Sequence, residues 1–302
     1  MTLPIYAPPY YRDFACIKGD CRHTCCAGWR IGVDEDTLTF YDTLGGEMGN
    51  TIREWLAMDE EGAYIPLTDC GRCPHLTKDG LCRIISALGE GATSKICREH
   101  PRFYNALGDR IEVGLGMSCE AAARLILSSD EYLPTVWVGD SEADRTDAEL
   151  ITERDRMLKI LSDKSLPYRS RLERLMFEYK IPKCVLSPEK WRKIFEELEY
   201  KSAEGARLIT AMPCGRCERE DVLERFLAYM IYRHVGAAEN ATDMRARLGF
   251  CILSVAVFES MVASGGTTES EITEAARLYS EEIEYSEDNT DTLIFEIECE
   301  II

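Results

Sequence analysis

Cysteine is concentrated near the start of this chain, and that concentration constrains the fold more than any other feature. Nine of the fourteen cysteines lie between Cys16 and Cys119, and three of the four histidines share this region. Four of the nine fall in one stretch, CIKGDCRHTCCAGW, at residues 16–29. So many thiols in one region indicate either a disulfide framework or a metal site.

The first residues of the chain bear on this choice. The segment MTLPIYAPPYYRDF has no basic start, no apolar stretch and no small-residue cleavage site, so we do not expect a secretory signal. The longest apolar run, residues 250–262, is shorter than the roughly 18 residues that span a bilayer and is expected to be a buried helix. We therefore predict a cytoplasmic protein without a membrane segment. Stable disulfides are rare in the cytosol, which favours the metal site.

The clustered cysteines form two groups with different spacings. The first reads C-x4-C-x3-C-C, and the second reads C-x8-C followed by ICREHPR. Both lie among Gly, Pro, Asp and Thr, which form the turns that let several sulfur atoms point at one centre. The predicted pool of metal ligands is Cys16, Cys21, Cys25, Cys26, Cys73, Cys82, Cys97 and Cys119.

Thiolate ligands favour zinc or iron. Zinc fingers usually show two short cysteine pairs, whereas a [4Fe-4S] cluster accepts four cysteines at irregular spacings. The radical S-adenosylmethionine pattern C-x3-C-x2-C fails, because Gly28 occupies its third position after Cys21 and Cys25. An iron–sulfur cluster is predicted, with zinc as the alternative. Three later cysteines are predicted to be small buried hydrophobic residues: Cys184, Cys251 and Cys299.

The charge balance restricts the partners. With 35 Lys and Arg against 54 Asp and Glu, the net charge is −19, which excludes binding to nucleic acid through phosphate contacts and disfavours anionic membranes. A basic partner surface would be attracted. The acidic stretch YSEEIEYSEDN, residues 279–289, is expected either to orient a lysine-bearing substrate through Glu281, Glu284 and Glu287 or to be an ordinary solvated helix face.

Hydrophobic periodicity predicts a mainly α protein with two domains. Residues 1–130 are expected to form a cysteine-rich, metal-binding domain of loops and short helices, with helices at 51–58 and 82–90 and a strand at 110–116. A junction follows at 133–150, and residues 131–302 are expected to form a helical bundle. The predicted bundle helices are 150–161, 168–180, 187–200, 220–235, 244–263 and 268–289.

Several motifs are similar to one known family. CRHTCCAGWRIGVD, CPHLTKDGLCRI, ICREHPR and SCEAAARLIL, together with ERFLAYMIYRHV and LYSEEIEYSEDN in the second half, resemble the flagellin lysine-N-methylase family. The cysteine pattern resembles the broader CxxCxxCC group of zinc- or iron-chelating domains. The resemblance implies a bacterial enzyme that transfers a methyl group from S-adenosylmethionine to lysine side chains of flagellin and that needs an iron–sulfur cluster.

The sequence does not identify the binding site of the methyl donor or the catalytic residues. The strand-and-glycine segment RIEVGLGMSC, residues 110–119, is a weak match to a nucleotide-binding turn and is read as a turn that delivers Cys119 to the metal. Four aromatic residues near the cysteines are candidates to cradle a cationic donor or to pack in the core: Tyr10, Tyr11, Trp29 and Tyr104. The alternative functions are a non-catalytic metal-binding or redox-sensing protein and a structural zinc module on a helical interaction domain.

Overall fold

A computed structural model describes residues 1–143, 151–211 and 215–301. Its strands are β1 (Thr2–Ala7), β2 (Ile31–Gly32), β3 (Ala57–Asp59), β4 (Gly62–Ile65), β5 (Arg102–Leu107), β6 (Arg110–Leu115) and β7 (Val136–Glu142). Its α-helices are α1 (Glu35–Thr43), α2 (Gly46–Glu54), α3 (Arg83–Leu88), α4 (Lys95–Glu99), α5 (Glu120–Ser128), α6 (Ile151–Leu161), α7 (Tyr168–Glu178), α8 (Pro188–Glu197), α9 (Ala203–Thr210), α10 (Glu220–His234), α11 (Ala241–Gly265), α12 (Glu269–Tyr279) and α13 (Glu287–Ile301). The prediction of a mainly α protein is confirmed.

The chain forms two compact units. The first unit comprises Met1–Phe14 and Phe103–Ile302, and the second unit comprises Ala15–Arg102. These boundaries differ from the predicted domains 1–130 and 131–302, because β1, β6 and α5 pack within the first unit. The predicted junction at 133–150 contains β7, and its residues 144–150 lie outside the described residues, as does the predicted start of helix 150–161.

The first unit contains a four-stranded sheet in the order β5-β6-β1-β7. The first residues of the chain form a central strand of this sheet: Ile5 of β1 lies opposite Ile111 of β6 in parallel register, and Thr2 lies opposite Glu142 of β7 in antiparallel register. The predicted strand at 110–116 is confirmed as β6. The other three strands of this sheet come from segments in which the alternation of apolar residues is weak.

Helix α11 is the central helix of the first unit. It is long and apolar enough to cross a bilayer, yet 72% of its most apolar window is buried inside the protein, where it packs against α10, α12 and α13. The prediction that residues 250–262 form a buried helix is confirmed. Cys251 is buried on this helix as predicted, whereas Cys299 on α13 is exposed, so the prediction of a buried Cys299 is wrong.

The start of α12 carries the capping box that its sequence indicates. The Thr268 hydroxyl accepts a hydrogen bond from the Glu271 amide at 3.3 Å, and the Glu271 carboxylate accepts one from the Thr268 amide at 3.0 Å. These two bonds satisfy backbone donors that the first turn of a helix leaves without partners.

We expect Thr268→Ala to lower the free energy of unfolding by about 1 kcal/mol, because it removes the capping oxygen. Chemical denaturation followed by circular dichroism measures the change. The neighbouring Thr267→Ala is the matched control, since Thr267 is exposed and lies outside the capping bonds. Equal losses in both variants would contradict the capping role.

The second unit is built around a small core of its own. Its sheet has the order β2-β4-β3, with Ile31 opposite Ile65 and a tight turn joining β3 to β4. The predicted helix at 51–58 is only partly correct, because α2 ends at Glu54 and the chain then enters β3. The buried residues of this core are Ile31, Val33, Tyr41, Ile52, Ala63, Ile65, Cys73, Ile84 and Ala92.

Candidate functional site

Four of the predicted ligands converge on the core of the second unit. Cys73 is buried in that core, and three further thiols pack against it: Cys26, Cys82 and Cys97. Each of the four interacts electrostatically with the other three. We call these four residues the thiol cluster.

Turns bring the cluster together from distant positions in the sequence. The Cys73 amide donates to the Cys26 carbonyl at 2.8 Å, which joins the two cysteine groups. The segment after Cys73 reverses direction at Gly80, whose positive φ of 73° suits glycine, and returns Cys82 to a bridge with Leu76. Cys82 is the residue immediately before α3, and Cys97 lies in α4. The turns predicted from the sequence therefore bring these cysteines together, as expected.

Hydrogen-bond donors point at the sulfur atoms of the cluster. The Ser94 hydroxyl donates to Cys97 Sγ at 3.2 Å, and the backbone amide of His75 donates to the Cys73 sulfur. The amides of Ile84 and Ile85 serve the Cys82 sulfur in the same way. Such donors stabilise a thiolate, and hydrogen bonds to sulfur tune the potentials of iron–sulfur clusters.

The environment of the cluster resists ionisation of all four thiols together. Burial raises the pKa of Cys73 to about 12, and burial also raises the pKa values of Cys82 and Cys97. Cys26 differs, because the hydrogen bond from Cys25 is the largest of the effects that lower its pKa to about 7. Four neighbouring thiolates repel one another, and a bound cation offsets that repulsion and the cost of burial.

Two buried polar side chains of the second unit have no hydrogen-bond partner. They are Tyr41, whose hydroxyl is unpaired, and His75, both of whose ring nitrogens are unpaired. His75 is two residues from Cys73, and Tyr41 interacts electrostatically with Cys97 and Cys82. Burying such groups unpaired costs free energy, so their position beside the thiol cluster fits a group bound there that accepts or donates hydrogen bonds. The donor set and its surroundings therefore fit a thiolate-ligated metal group.

The predicted cysteine ligands are not arranged around a common coordination centre in the structure. Across residues 1–143, 151–211 and 215–301, no three His, Cys, Asp or Glu side chains form a group able to hold one ion. Cys16 is exposed, Cys21 Sγ donates to the His23 carbonyl at 3.2 Å, and Cys25 is half-buried. Cys119 lies in the first unit, immediately before α5. The choice of ligands among the eight predicted cysteines stays a prediction.

A second buried polar group lies in the first unit, where two of the family-like motifs meet. Glu284 belongs to a π-helical turn, Ser280–Glu284, and accepts hydrogen bonds from the Tyr229 hydroxyl at 3.0 Å to both of its oxygens. His234 Nε2 lies 2.8 Å from Glu284 Oε1, and Arg233 Nε lies 3.5 Å from it. Burial alone would raise the pKa of Glu284, but Arg233 and then His234 hold it at about 2.

This geometry corrects the expected role of the acidic stretch 279–289. Glu284 is buried and paired, so the expectation that it faces a substrate is wrong. Glu282 is buried as well and accepts the backbone amides of Lys201 and Ser202. Glu281 is partly exposed and pairs with Arg277 at 2.6 Å. Glu282 and Glu284 therefore hold segments of the first unit together, whereas Glu287 is exposed.

The aromatic candidates have separate environments. Tyr10 is buried in the core of the first unit, Trp29 donates to the Cys25 carbonyl at 2.6 Å, and Tyr104 is exposed. The glycine turn after β6 is closed by a side chain of this protein, because a Cβ on Gly116 would lie 2.1 Å from the Tyr285 hydroxyl oxygen. Gly116 therefore accommodates Tyr285, and this close approach gives a packing reason for the glycine.

Comparison with known proteins identifies relatives of one kind. Over 137 residues, 43% of this chain, it is 27% identical to proteins named lysine-N-methylase from Salmonella typhimurium and Salmonella choleraesuis. It is 26% identical over the same length to the flagellar biosynthetic protein FliU of Salmonella muenchen, of which 81% is covered.

The matched region is limited in extent. It spans 34% of the length of the two lysine-N-methylases. No family model matches the chain, and no solved structure matches it. Over that shared region the chain is homologous to lysine-N-methylases, which confirms the predicted resemblance to that family.

Proposed function

We propose that this protein is an S-adenosylmethionine-dependent N-methyltransferase that acts on lysine side chains of flagellin in the bacterial cytoplasm. The observation that carries the proposal is its homology to proteins named lysine-N-methylase and to a flagellar biosynthetic protein. The motifs that suggested this family occur in both units, which supports a role for the whole chain.

The thiol cluster is the proposed holder of a [4Fe-4S] cluster. Its members are Cys26, Cys73, Cys82 and Cys97, and four thiolates complete the ligand shell of such a cluster. The sulfur atoms of Cys73, Cys82 and Cys97 already accept hydrogen bonds, which would stabilise their thiolate forms on ligation. When bound, the iron–sulfur group would supply structural cross-linking of the second unit or electron-transfer chemistry.

The proposed transfer is a displacement at the methyl carbon of the donor. The lone pair of the neutral lysine amine forms the new C–N bond, the C–S bond breaks with its electron pair left on the sulfur of S-adenosylhomocysteine, and one proton leaves the methylated nitrogen to solvent. A free lysine side chain has a pKa near 10.4 and must lose a proton before it attacks, so its environment must disfavour the ammonium form. The net charge of −19 would attract lysine-bearing surfaces before that step.

A methyl-transfer assay tests the proposal directly. Metal-loaded protein, S-adenosylmethionine with a labelled methyl group and purified flagellin should give label on flagellin lysines, identified by mass spectrometry. Flagellin whose lysines have been acetylated beforehand is the control and should stay unlabelled. Absence of label on native flagellin, with protein that retains its iron and sulfide, would contradict the proposal.

A non-catalytic redox sensor is the second candidate function. The thiol of Cys26 favours it, because a pKa of about 7 gives a substantial thiolate fraction at neutral pH. A protein with this role would bind zinc or an iron–sulfur group at the same thiols. It would respond to oxidants and would not label flagellin.

A further inference from the structure

The Tyr41 hydroxyl is buried and has no hydrogen-bond partner within the described part of the chain. The side chain is completely buried in the second unit, and no described residue hydrogen-bonds to the hydroxyl. Burial, and next the neighbouring Cys97 and Cys82, raise the pKa of Tyr41 well above its ordinary value. Even an unperturbed phenol has a pKa of about 10, so the hydroxyl keeps its proton and is a hydrogen-bond donor throughout the physiological pH range.

The surrounding structure fixes Tyr41 beside the thiol cluster. Its carbonyl accepts a hydrogen bond from Arg53 Nη1 at 2.7 Å, which anchors the end of α1. At the other end of α1, Asp34 accepts the Thr37 amide at 3.0 Å and the Lys95 amide at 2.7 Å. The second of these bonds ties α1 to α4, the helix that carries Cys97. These bonds fix both ends of α1, so the phenol keeps its place in the core that contains Cys73 and against which the other three thiols pack.

An unpaired buried hydroxyl destabilises a protein unless a ligand pairs with it. Leaving such a group without a partner costs about 1–3 kcal/mol. A phenylalanine would fill almost the same volume without that cost, so the hydroxyl is informative. A thiolate or sulfide is a negatively charged acceptor, and bonds to charged acceptors are roughly twice as strong as neutral ones.

We infer that the Tyr41 hydroxyl donates a hydrogen bond to a thiolate-ligated group bound at the thiol cluster and stabilises the more negative state of that group. The inference rests on the metal site of the proposed function and adds a positioning residue to it. The bond stabilises the reduced form more than the oxidised form, since reduction adds negative charge. It therefore raises the reduction potential of an iron–sulfur group bound there.

The test compares wild-type protein with Tyr41→Phe, both full-length and reconstituted with iron and sulfide under anaerobic conditions. We expect equal iron content and a lower reduction potential in the variant. A tenfold shift in the relative stability of the reduced form is about 59 mV for one electron. An unchanged potential at equal iron content would overturn the inference and leave the proposed methyl transfer untouched.

The stability of the metal-free protein provides a second test of the inference. Tyr41→Phe should make the metal-free form more resistant to unfolding, because it removes an unpaired buried hydroxyl, and should weaken the gain in stability that the bound group provides. Tyr168→Phe is the matched control, since the Tyr168 hydroxyl is also buried and unpaired but lies in the first unit. It should stabilise both forms and leave the potential unchanged. If Tyr41→Phe behaves like this control, the inference fails.

Zinc provides a readout that does not depend on iron. In competition with a chelator, Tyr41→Phe should bind zinc about tenfold more weakly than wild type, because the zinc thiolates lose a charge-assisted bond. Tyr64→Phe, a half-buried tyrosine of β4, should bind as wild type does. Equal zinc affinity in all three proteins overturns the inference, and a wild type that binds neither zinc nor iron overturns both the inference and the proposed metal site.

Discussion

Cys82→Ser is expected to remove the bound iron from the protein almost completely. The substitution deletes one of four proposed ligands, and a serine hydroxyl is a poor replacement because iron and zinc sites of this kind favour thiolate sulfur. Another cysteine is not expected to replace it, since the other three thiols that interact with Cys82 are themselves proposed ligands. Iron and acid-labile sulfide analysis after anaerobic reconstitution measures the loss.

The second unit should loosen at the same time. Its core contains few large side chains, so a bound group would contribute much of its folding free energy. Hydrogen exchange should therefore become faster across residues 15–102 in Cys82→Ser, while α10 and α11 of the first unit keep their protection. The same comparison tests the prediction that metal organises the cysteine-rich part of the chain.

Cys70→Ser and Cys16→Ser are the matched controls for this experiment. Both cysteines are exposed, and Cys70 lies outside the predicted ligand pool, with its sulfur 3.2 Å from the Thr68 hydroxyl. Both variants should keep wild-type iron content. Loss of iron in Cys16→Ser, with retention in Cys82→Ser, would show that the ligands come from the first cysteine group and would contradict the proposed set.

Sequence spacing defined a pool of eight cysteines but not the four that converge. The pool rests on local patterns, whereas the convergence of Cys26 with Cys73 depends on a backbone hydrogen bond between segments about 47 residues apart, counted on the chain. The adjacent pair Cys25 and Cys26 shows the difference most clearly. Only Cys26 packs on the core of the second unit, and no spacing rule distinguishes it from its neighbour.

The helices were predictable and the sheet of the first unit was not. Helices such as α7 and α10 follow from a local period of apolar residues, and α11 follows from a long, mostly apolar run. The start of α8 at Pro188 follows from the preference of proline for the first helical position. Strands β1 and β7 pair across almost half of the chain, with Thr2 opposite Glu142. β7 has glycine and acidic residues that are typical of a junction, so only the pairing with β1 makes it a strand.

The π-helical turn explains why the inward direction of Glu284 was missed. A regular helix through residues 268–289 would follow one period, and its acidic residues would be assigned to a solvent-facing side. The turn Ser280–Glu284 changes the phase between α12 and α13, so that Glu282 and Glu284 both point into the protein. Arg233 and His234 on α10 are the partners of the buried Glu284. No local pattern in the sequence indicates that these two residues meet the acidic stretch.

Glu284→Gln is expected to lower the free energy of unfolding of the first unit by about 3 kcal/mol. The amide keeps the size of the side chain but leaves the Arg233 guanidinium, whose side chain is 13% exposed, without its fully buried carboxylate partner, and breaking a buried ion pair from one side typically costs about 3–5 kcal/mol. Urea denaturation at neutral pH measures the change. If the acidic stretch instead served substrate docking, the variant would keep its stability and raise only the Michaelis constant for flagellin.

The pH dependence of stability provides a second test of the role of the Glu284 charge. The folded-state pKa of Glu284 is about 2, below the ordinary value of 4.5, so its ionised form stabilises the fold above about pH 4.5 and this contribution is lost as the pH falls towards 2. The stability difference between wild type and Glu284→Gln should therefore narrow on acidification. Glu281→Gln, in the same turn but partly exposed, should cost less than about 1 kcal/mol. A constant difference at every pH would mean that the loss arises from packing and not from the charge of Glu284.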